Sequence, residues 1–184
     1  MNKLNAWLFI LFAISLGAWQ YFKAEEATKK ERDPSQAYFV ANQIQSSLFT
    51  PNGTVDYQVF ATQMHHYQDR LITEFTKPVV VVFRNNDQTQ WQITGDHGTL
   101  FDRDSFELSD NVTITNLTHD QHINLITTEK LTLDLIKNEL HSDDLVTLYG
   151  DQIKQQGTGL FGELNGKNIS LLNQVTATYL NEKP

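Results

Sequence analysis

An all-β domain behind one N-terminal apolar helix is the architecture this sequence predicts, on three observations. From Tyr38 onward apolar residues recur with a period of 2. Clusters of Asn, Asp, Gly and Pro punctuate these runs at short intervals. The long uncharged stretch, Leu4–Phe22, stands at the N-terminus and is the wrong material for a half-buried strand.

Leu4–Phe22 (LNAWLFILFAISLGAWQYF) is 19 residues without a charge. As a helix it rises about 28 Å, close to the ~30 Å hydrocarbon core of a bilayer. Trp7 stands near one end, and Trp19, Tyr21 and Phe22 crowd the other, in the manner of interfacial aromatic belts. A cleaved signal peptide is the competing reading, with Ser15-Leu16-Gly17 as the small-residue site. The apolar run continues through aromatics well past that site, which favours a retained anchor. Residues 1–3 are then a short tip, and 23–36 a charged extension of the helix. Glu25/Lys29 and Glu26/Lys30 are i,i+4 pairs in the favourable order, and Pro34 ends the helix by disfavouring helical backbone at Asp33. Lys3 on one side and Lys23, Lys29, Lys30 and Arg32 on the other leave orientation undecided by charge.

The body, 37–184, reads as strands. Val55, Tyr57 and Val59 alternate with polar residues, as do Val79, Val81 and Phe83, then Val112 and Ile114, then Leu131, Leu133 and Leu135. Turns are expected at Pro51-Asn52-Gly53, Asn85-Asn86-Asp87, Asp102-Arg103-Asp104, Ser109-Asp110-Asn111, Lys137-Asn138 and Asn165-Gly166. A refrain of polar turn, Val and Thr or an apolar residue adds a longer period. Val79, Val112, Val146 and Val175 are separated by 33, 34 and 29 residues. Each unit holds several short strands, and stacked units bury a core that none could bury alone. The residues point to a sandwich, roll or barrel.

Chemistry is scarce. There is no cysteine, hence neither disulfide nor thiolate ligand. From Pro34 onward 18 Asp/Glu face 9 Lys/Arg, an acidic balance that argues against nucleic acid as a partner and against lying on an anionic membrane surface. His119 and His122 flank Asp120, but in a turn among polar neighbours this reads as solvated surface, with no metal site. The pairs Asp102/Asp104 and Asp143/Asp144 sit at turn signals, where Asp is favoured for local hydrogen bonding. Four Asn-x-Ser/Thr triplets, at Asn52, Asn111, Asn116 and Asn168, are composition in a chain this rich in Asn and Thr. No phosphate loop, nucleophile elbow or His-Glu-x-x-His motif occurs, so neither catalysis nor a cofactor is expected.

Taken in order, a short N-terminal span, TPNG before VDYQVFA, FTKPVVVVF, WQITGDHGTL, HSDDLVTLYG and GLFGELNGKNISLLNQVTATY resemble the LptC family of lipopolysaccharide export proteins over essentially the whole chain. The resemblance implies a bitopic protein of the cell inner membrane, N-terminus cytoplasmic, with a periplasmic domain of the bent antiparallel β-roll, jelly-roll-like type. It implies a non-enzymatic role: lipopolysaccharide is received from the LptB/LptF/LptG ABC transporter, met through the transmembrane helix and a domain edge. The lipid then passes to the bridge protein LptA through a strand edge. Carried over residue by residue, Phe75, Ile169 and Tyr179, and less directly Ile44, face the lipid-bearing interior. Gly53 and Gly150 match glycines tied to function or complex assembly. Leu4, Trp7, Trp19 and Phe22 mark the membrane span. Phe75 also suits an ordinary core, and the two glycines are turn residues first. Ile169 departs from the resemblance, because a small residue is expected there and isoleucine narrows the trough. An alternative from another class is a membrane-anchored structural or adaptor β-domain with no ligand of its own.

Overall fold

Alternating side chains need a sheet with one shielded face, and this chain makes that face by folding a single sheet upon itself. The computed structural model describes residues 12, 14–20, 36–84, 88–118, 123–164 and 168–179. The chain divides into two compact units, Met1–Gln36 and Ala37–Pro184. In the first, residues 12 and 14–20 are helical, with Trp19 exposed. No helix among the described residues is long and apolar enough to cross a membrane. The positions expected near the span's ends, Leu4, Trp7 and Phe22, lie outside the described residues, as do the Glu/Lys pairs that follow.

The second unit holds β1 (Phe39–Phe49), β2 (Val55–Tyr67), β3 (Ile72–Thr76), β4 (Val79–Arg84), β5 (Gln88–Thr94), β6 (His97–Phe101), β7 (Ser105–Asn116), β8 (Ile123–Asp134), β9 (Glu139–Gly150), β10 (Ile153–Glu163) and β11 (Ile169–Tyr179). A 3₁₀ turn, Gln68–Arg70, joins β2 to β3. All pairings are antiparallel. β3 and β4 are halves of one strand broken at Lys77-Pro78, and β5 and β6 halves of another broken at Gly95-Asp96. β4 lies on β5 and β3 on β6 accordingly. With the halves joined, every strand pairs with the next in sequence, the connection short antiparallel hairpins allow. The edges of the meander are β1 and β11.

Each long strand is bent near its middle. Left-handed backbone occurs at Gln43 in β1, Lys77 between β3 and β4, Asp110 and Asn111 in β7, Gly159 in β10 and Gln174 in β11. Register shifts fall at the same level in β7–β8, β8–β9, β9–β10 and β10–β11. A residue with positive φ inside a strand interrupts the pleat and turns the strand, and Asp and Asn tolerate it better than most. The crease is bonded where β3–β4, β5–β6 and β7 cross it: Lys77 N–H donates to the Asp96 carbonyl and Asp96 N–H to that of Asp110, at 2.8 and 2.9 Å. Asn111 Nδ2 reaches Asp96 Oδ2 at 2.6 Å. Two layers result. Layer A carries β4, β5, the N-terminal halves of β2, β8 and β10 and the C-terminal halves of β1, β7, β9 and β11; layer B carries β3, β6 and the remaining halves.

This geometry corrects two expectations. Ser109-Asp110-Asn111 and Asp143/Asp144 are not turns between strands but positions inside β7 and β9, because their backbone bends the strand without reversing it. The turns expected at Pro51–Gly53, Asp102–Asp104 and Lys137-Asn138 are present. Those at 85–87 and 165–166 lie outside the described residues. The refrain acquires a cause. Val112, Val146 and Val175 belong to β7, β9 and β11, every second strand of the meander. The threonines after them share one row across the sheet: Thr113 pairs with Thr127, Thr127 with Thr147, Thr147 with Gln156, and Gln156 with Thr176. The row reaches back through Thr94 to Val79. Val79 therefore stands on the threonine line, one residue out of step with the other valines. The shielded residues of β4 are Val80 and Val82, not the set Val79, Val81 and Phe83.

Between the layers Ile93, Leu108, Ile126, Leu131, Leu133, Val146 and Leu160 are fully buried. At ~25 cal/mol per Å² of apolar surface removed from water, this packing holds the crease shut, since every strand contributes to both walls.

Candidate binding trough

The inward face is built of rows running across the strands. In layer B one row is Ala41, Met64, Phe75, Gly98, Leu108 and Leu131, continuing through Ser142, Leu160 and Leu171. The next, further from the crease, is Phe39, His66, Thr73, Leu100, Phe106, Leu133, Leu140, Gly162 and Ile169. In layer A a row runs through Val59, Val80, Ile93, Ile114, Ile126 and Leu148. Beyond it Tyr57, Val82, Trp91 and Asn116 form the outermost row at the β2–β7 side.

These rows place the anticipated residues. Phe75 is half-buried in β3, its ring 5.4 Å from that of Phe106 in an edge-to-face contact, the geometry aromatic quadrupoles favour. Ile169 opens β11 opposite Gly162 and packs on the core. Ile44 is half-buried in β1 opposite Ala61. Tyr179 ends β11, in register with Ile153 and 74% exposed. All four lie on the inward register, but not as a cluster: Ile44 and Tyr179 are on opposite edge strands. Gly53 sits in the β1–β2 turn with φ +83° and open space around it, so backbone conformation explains it. Gly150 ends β9 opposite Ile123. The glycines with positive φ among the described residues are Gly53 and Gly159, so left-handed backbone does not account for Gly150.

Sequence reasoning missed other members of this face. Phe39 and Leu48 on β1 and Val175 on β11 have the inward register and remain exposed. Gly98 also went unnoticed. A Cβ there would stand 2.9 Å from both the Phe106 ring and Pro78, so the missing side chain is what lets Phe106 and Pro78 close over β6. Its signal is a glycine in a strand, which marks close approach. At the β1 end of layer B the inward row runs out into a cavity of about 590 Å³ lined by Tyr38, His66, Leu71, Thr73, Leu100 and Arg103 among others. His66 Nδ1 lies 2.9 Å from Thr73 Oγ1 on its wall.

The ionic groups lie elsewhere. Lys130 and Glu107 pair at 2.9 Å on the outer face, and a hydrogen bond to Glu107 holds the Lys130 ammonium above its ordinary value. The backbone N–H of Lys137 and that of Ile136 hold the Asp134 carboxyl below its ordinary range. His141 Nε2 and Asp143 Oδ1 stand 2.9 Å apart in the open. Among the described residues no three His, Asp or Glu side chains are grouped as metal ligands. His119, Asp120 and His122 lie outside the described residues. What the inward face offers is apolar surface.

A folded antiparallel sheet with a predominantly apolar interior is the frame on which comparison with known proteins bears. Over residues 6–180 the chain matches the family described as lipopolysaccharide-assembly, LptC-related. The chain belongs to that family. It is 24% identical over 185 residues to the lipopolysaccharide export system protein LptC of Escherichia coli K12, covering 97% of this chain and 95% of that protein. It is 25% identical over 200 residues to the protein of the same name from Haemophilus influenzae, covering 96% of each. Among solved structures it is similar to LptH, the LptA-homologous periplasmic component of the lipopolysaccharide transport device of Pseudomonas aeruginosa. The TM-score is 0.51 and the identity 8%, covering 70% of this chain and 95% of that one. The fold of this LptC-related chain is thus an LptA-like β-jellyroll.

Proposed function

We propose that this protein is a non-enzymatic carrier in lipopolysaccharide transport, sheltering acyl chains between its two layers. The observation that carries the reading is the state of the two edges. The inward register is mostly apolar yet unshielded on β1 (Phe39 and Leu48, with Ser46 its polar member) and on β11 (Val175, Tyr179). Contiguous apolar surface left exposed beside a core marks a place where a ligand or partner binds. Burial of acyl chains at ~25 cal/mol per Å² is non-directional and lets a ligand slide. The acidic balance of the domain disfavours a grip on phosphorylated head groups, which favours recognition through the chains.

In this reading Leu4–Phe22 spans the inner membrane with its N-terminus in the cytoplasm, and the β domain is periplasmic. The span and one domain edge meet an LptB/LptF/LptG transporter. Another strand edge meets LptA by strand addition, the use that unpaired edges serve. Phe75, Ile44, Ile169 and Tyr179 contact the lipid, while Gly53 and Gly150 serve assembly.

The adaptor reading draws support from the filled centre, where Ile93, Leu108 and Leu131 leave no exposed surface. A photo-crosslinking residue at Phe75 or Tyr179 separates the two. Lipopolysaccharide adducts that depend on ATP hydrolysis by the transporter are expected for the carrier. Absence of adducts at every inward position, with crosslinks to protein partners intact, leaves the adaptor.

A further inference from the structure

The rims of the two layers are joined by a side-chain bond that no strand pairing requires. Tyr57, 2% exposed, belongs to the outermost inward row of layer A. Its hydroxyl donates to Oδ1 of Asn138, which lies in the β8–β9 turn on the rim of layer B. The bond therefore crosses the open side of the fold, opposite the crease. It runs diagonally, from the second strand of one layer to the turn between two late strands of the other. Asn138 is held for it. Its backbone is left-handed at φ 60°, its carbonyl accepts the Leu164 N–H at 2.8 Å, and Leu164 is itself buried.

From this geometry we infer that Tyr57 and Asn138 form a latch, and that acyl chains load through the rim it closes. The inference rests on the carrier reading. A lipid carried with its chains between the layers keeps its charged head outside, because burying phosphates in this apolar interior carries a large desolvation cost. The connection between chains and head then occupies the rim wherever the lipid stands. A bond across the rim is incompatible with passage at that point, so it breaks for each transfer. One hydrogen bond between neutral groups suits this duty: its net contribution is small enough for thermal opening, yet it restores the closed rim once the lipid has passed.

Two variants of the full-length chain test this. Tyr57→Phe keeps the ring and removes the donor. Asn138→Gly keeps the left-handed backbone and removes the acceptor. Hydrogen exchange of the ligand-free protein is expected to quicken about 2- to 10-fold, the factor one net hydrogen bond supplies, in residues 55–60 and 135–140 in both variants. Uptake of added lipopolysaccharide, read by a photo-crosslinker at Phe75, is expected to quicken by a similar factor. Since the chain has no cysteine, Tyr57→Cys with Asn138→Cys can be bridged by a bis-maleimide, and bridging is expected to abolish uptake. Unchanged exchange in both single variants overturns the latch, and quicker exchange with unchanged uptake overturns its role in loading. If the unmodified protein takes up no lipopolysaccharide, the carrier reading fails and the loading role with it; uptake by the unmodified protein with unchanged exchange in both variants overturns the latch alone.

Discussion

Val146 and Val175 are the same residue, in the same position of the same refrain, two strands apart, yet one is fully buried and the other 52% exposed. Each precedes a threonine on one shared row of the sheet, so register does not distinguish them. The second layer does: it covers β9 and leaves the inward face of the C-terminal half of β11 in the open. A side chain of this kind gains about 1.5–3 kcal/mol on full burial, and β11 forgoes part of that. The centre of the molecule is a core, and its edges are the same surface left available. This contrast supports the carrier reading.

The contrast can be broken at its strong side first. Leu131→Ala, in the filled centre, is expected to cost about 2–5 kcal/mol in denaturant unfolding, from lost transfer energy and the cavity left behind. A cost under 1 kcal/mol would mean that the centre is loosely filled. It is sharpened by one substitution made at both valines. Val146→Thr buries a hydroxyl and is expected to cost about 1–3 kcal/mol. Val175→Thr is expected to change stability by less than about 0.5 kcal/mol while weakening lipopolysaccharide crosslinking nearby. Equal costs at the two sites would show that β11 is covered in solution.

The smallest effect is electrostatic and lies away from either surface. Asp134 caps the β8–β9 turn by accepting the N–H groups of Ile136 and Lys137, with Lys137 Nζ at 3.3 Å. Its pKa is lowered, first by the Lys137 backbone N–H. A carboxyl whose pKa is depressed on folding stabilises above its unfolded value and loses that contribution as pH falls through the folded value. Asp134→Asn is therefore expected to flatten the acid limb of a Tm-against-pH curve, leaving the neutral region little changed. An unchanged acid limb would assign the pH dependence to other carboxyls.

Period-2 alternation made the β class, the shielded positions Tyr57, Val112, Ile114, Leu131 and Leu133, and the turns near Gly53, Asp102 and Asn138 legible. The refrain was legible as a period but not as a cause, because a polar pair before Val-Thr reads equally well as a reversal or a bend. Only the pairing of Ser109 with Lys130 on one side and of Val112 with Thr128 on the other shows the strand continuing through it. Val79 misled for a related reason: Lys77-Pro78 at the crease shifts the phase of β4 by one residue, and alternation inside a run of four valines cannot report its own phase.

Alternation specified by itself that strands form and, for most of them, which side chains share a face, because the pleat repeats every two residues whatever surrounds it. Whether that face is a core or an open floor was decided by where the second layer ends. So was the meeting of Tyr57 with Asn138, 81 residues apart. Burial depends on what lies opposite, and no local pattern carries that information.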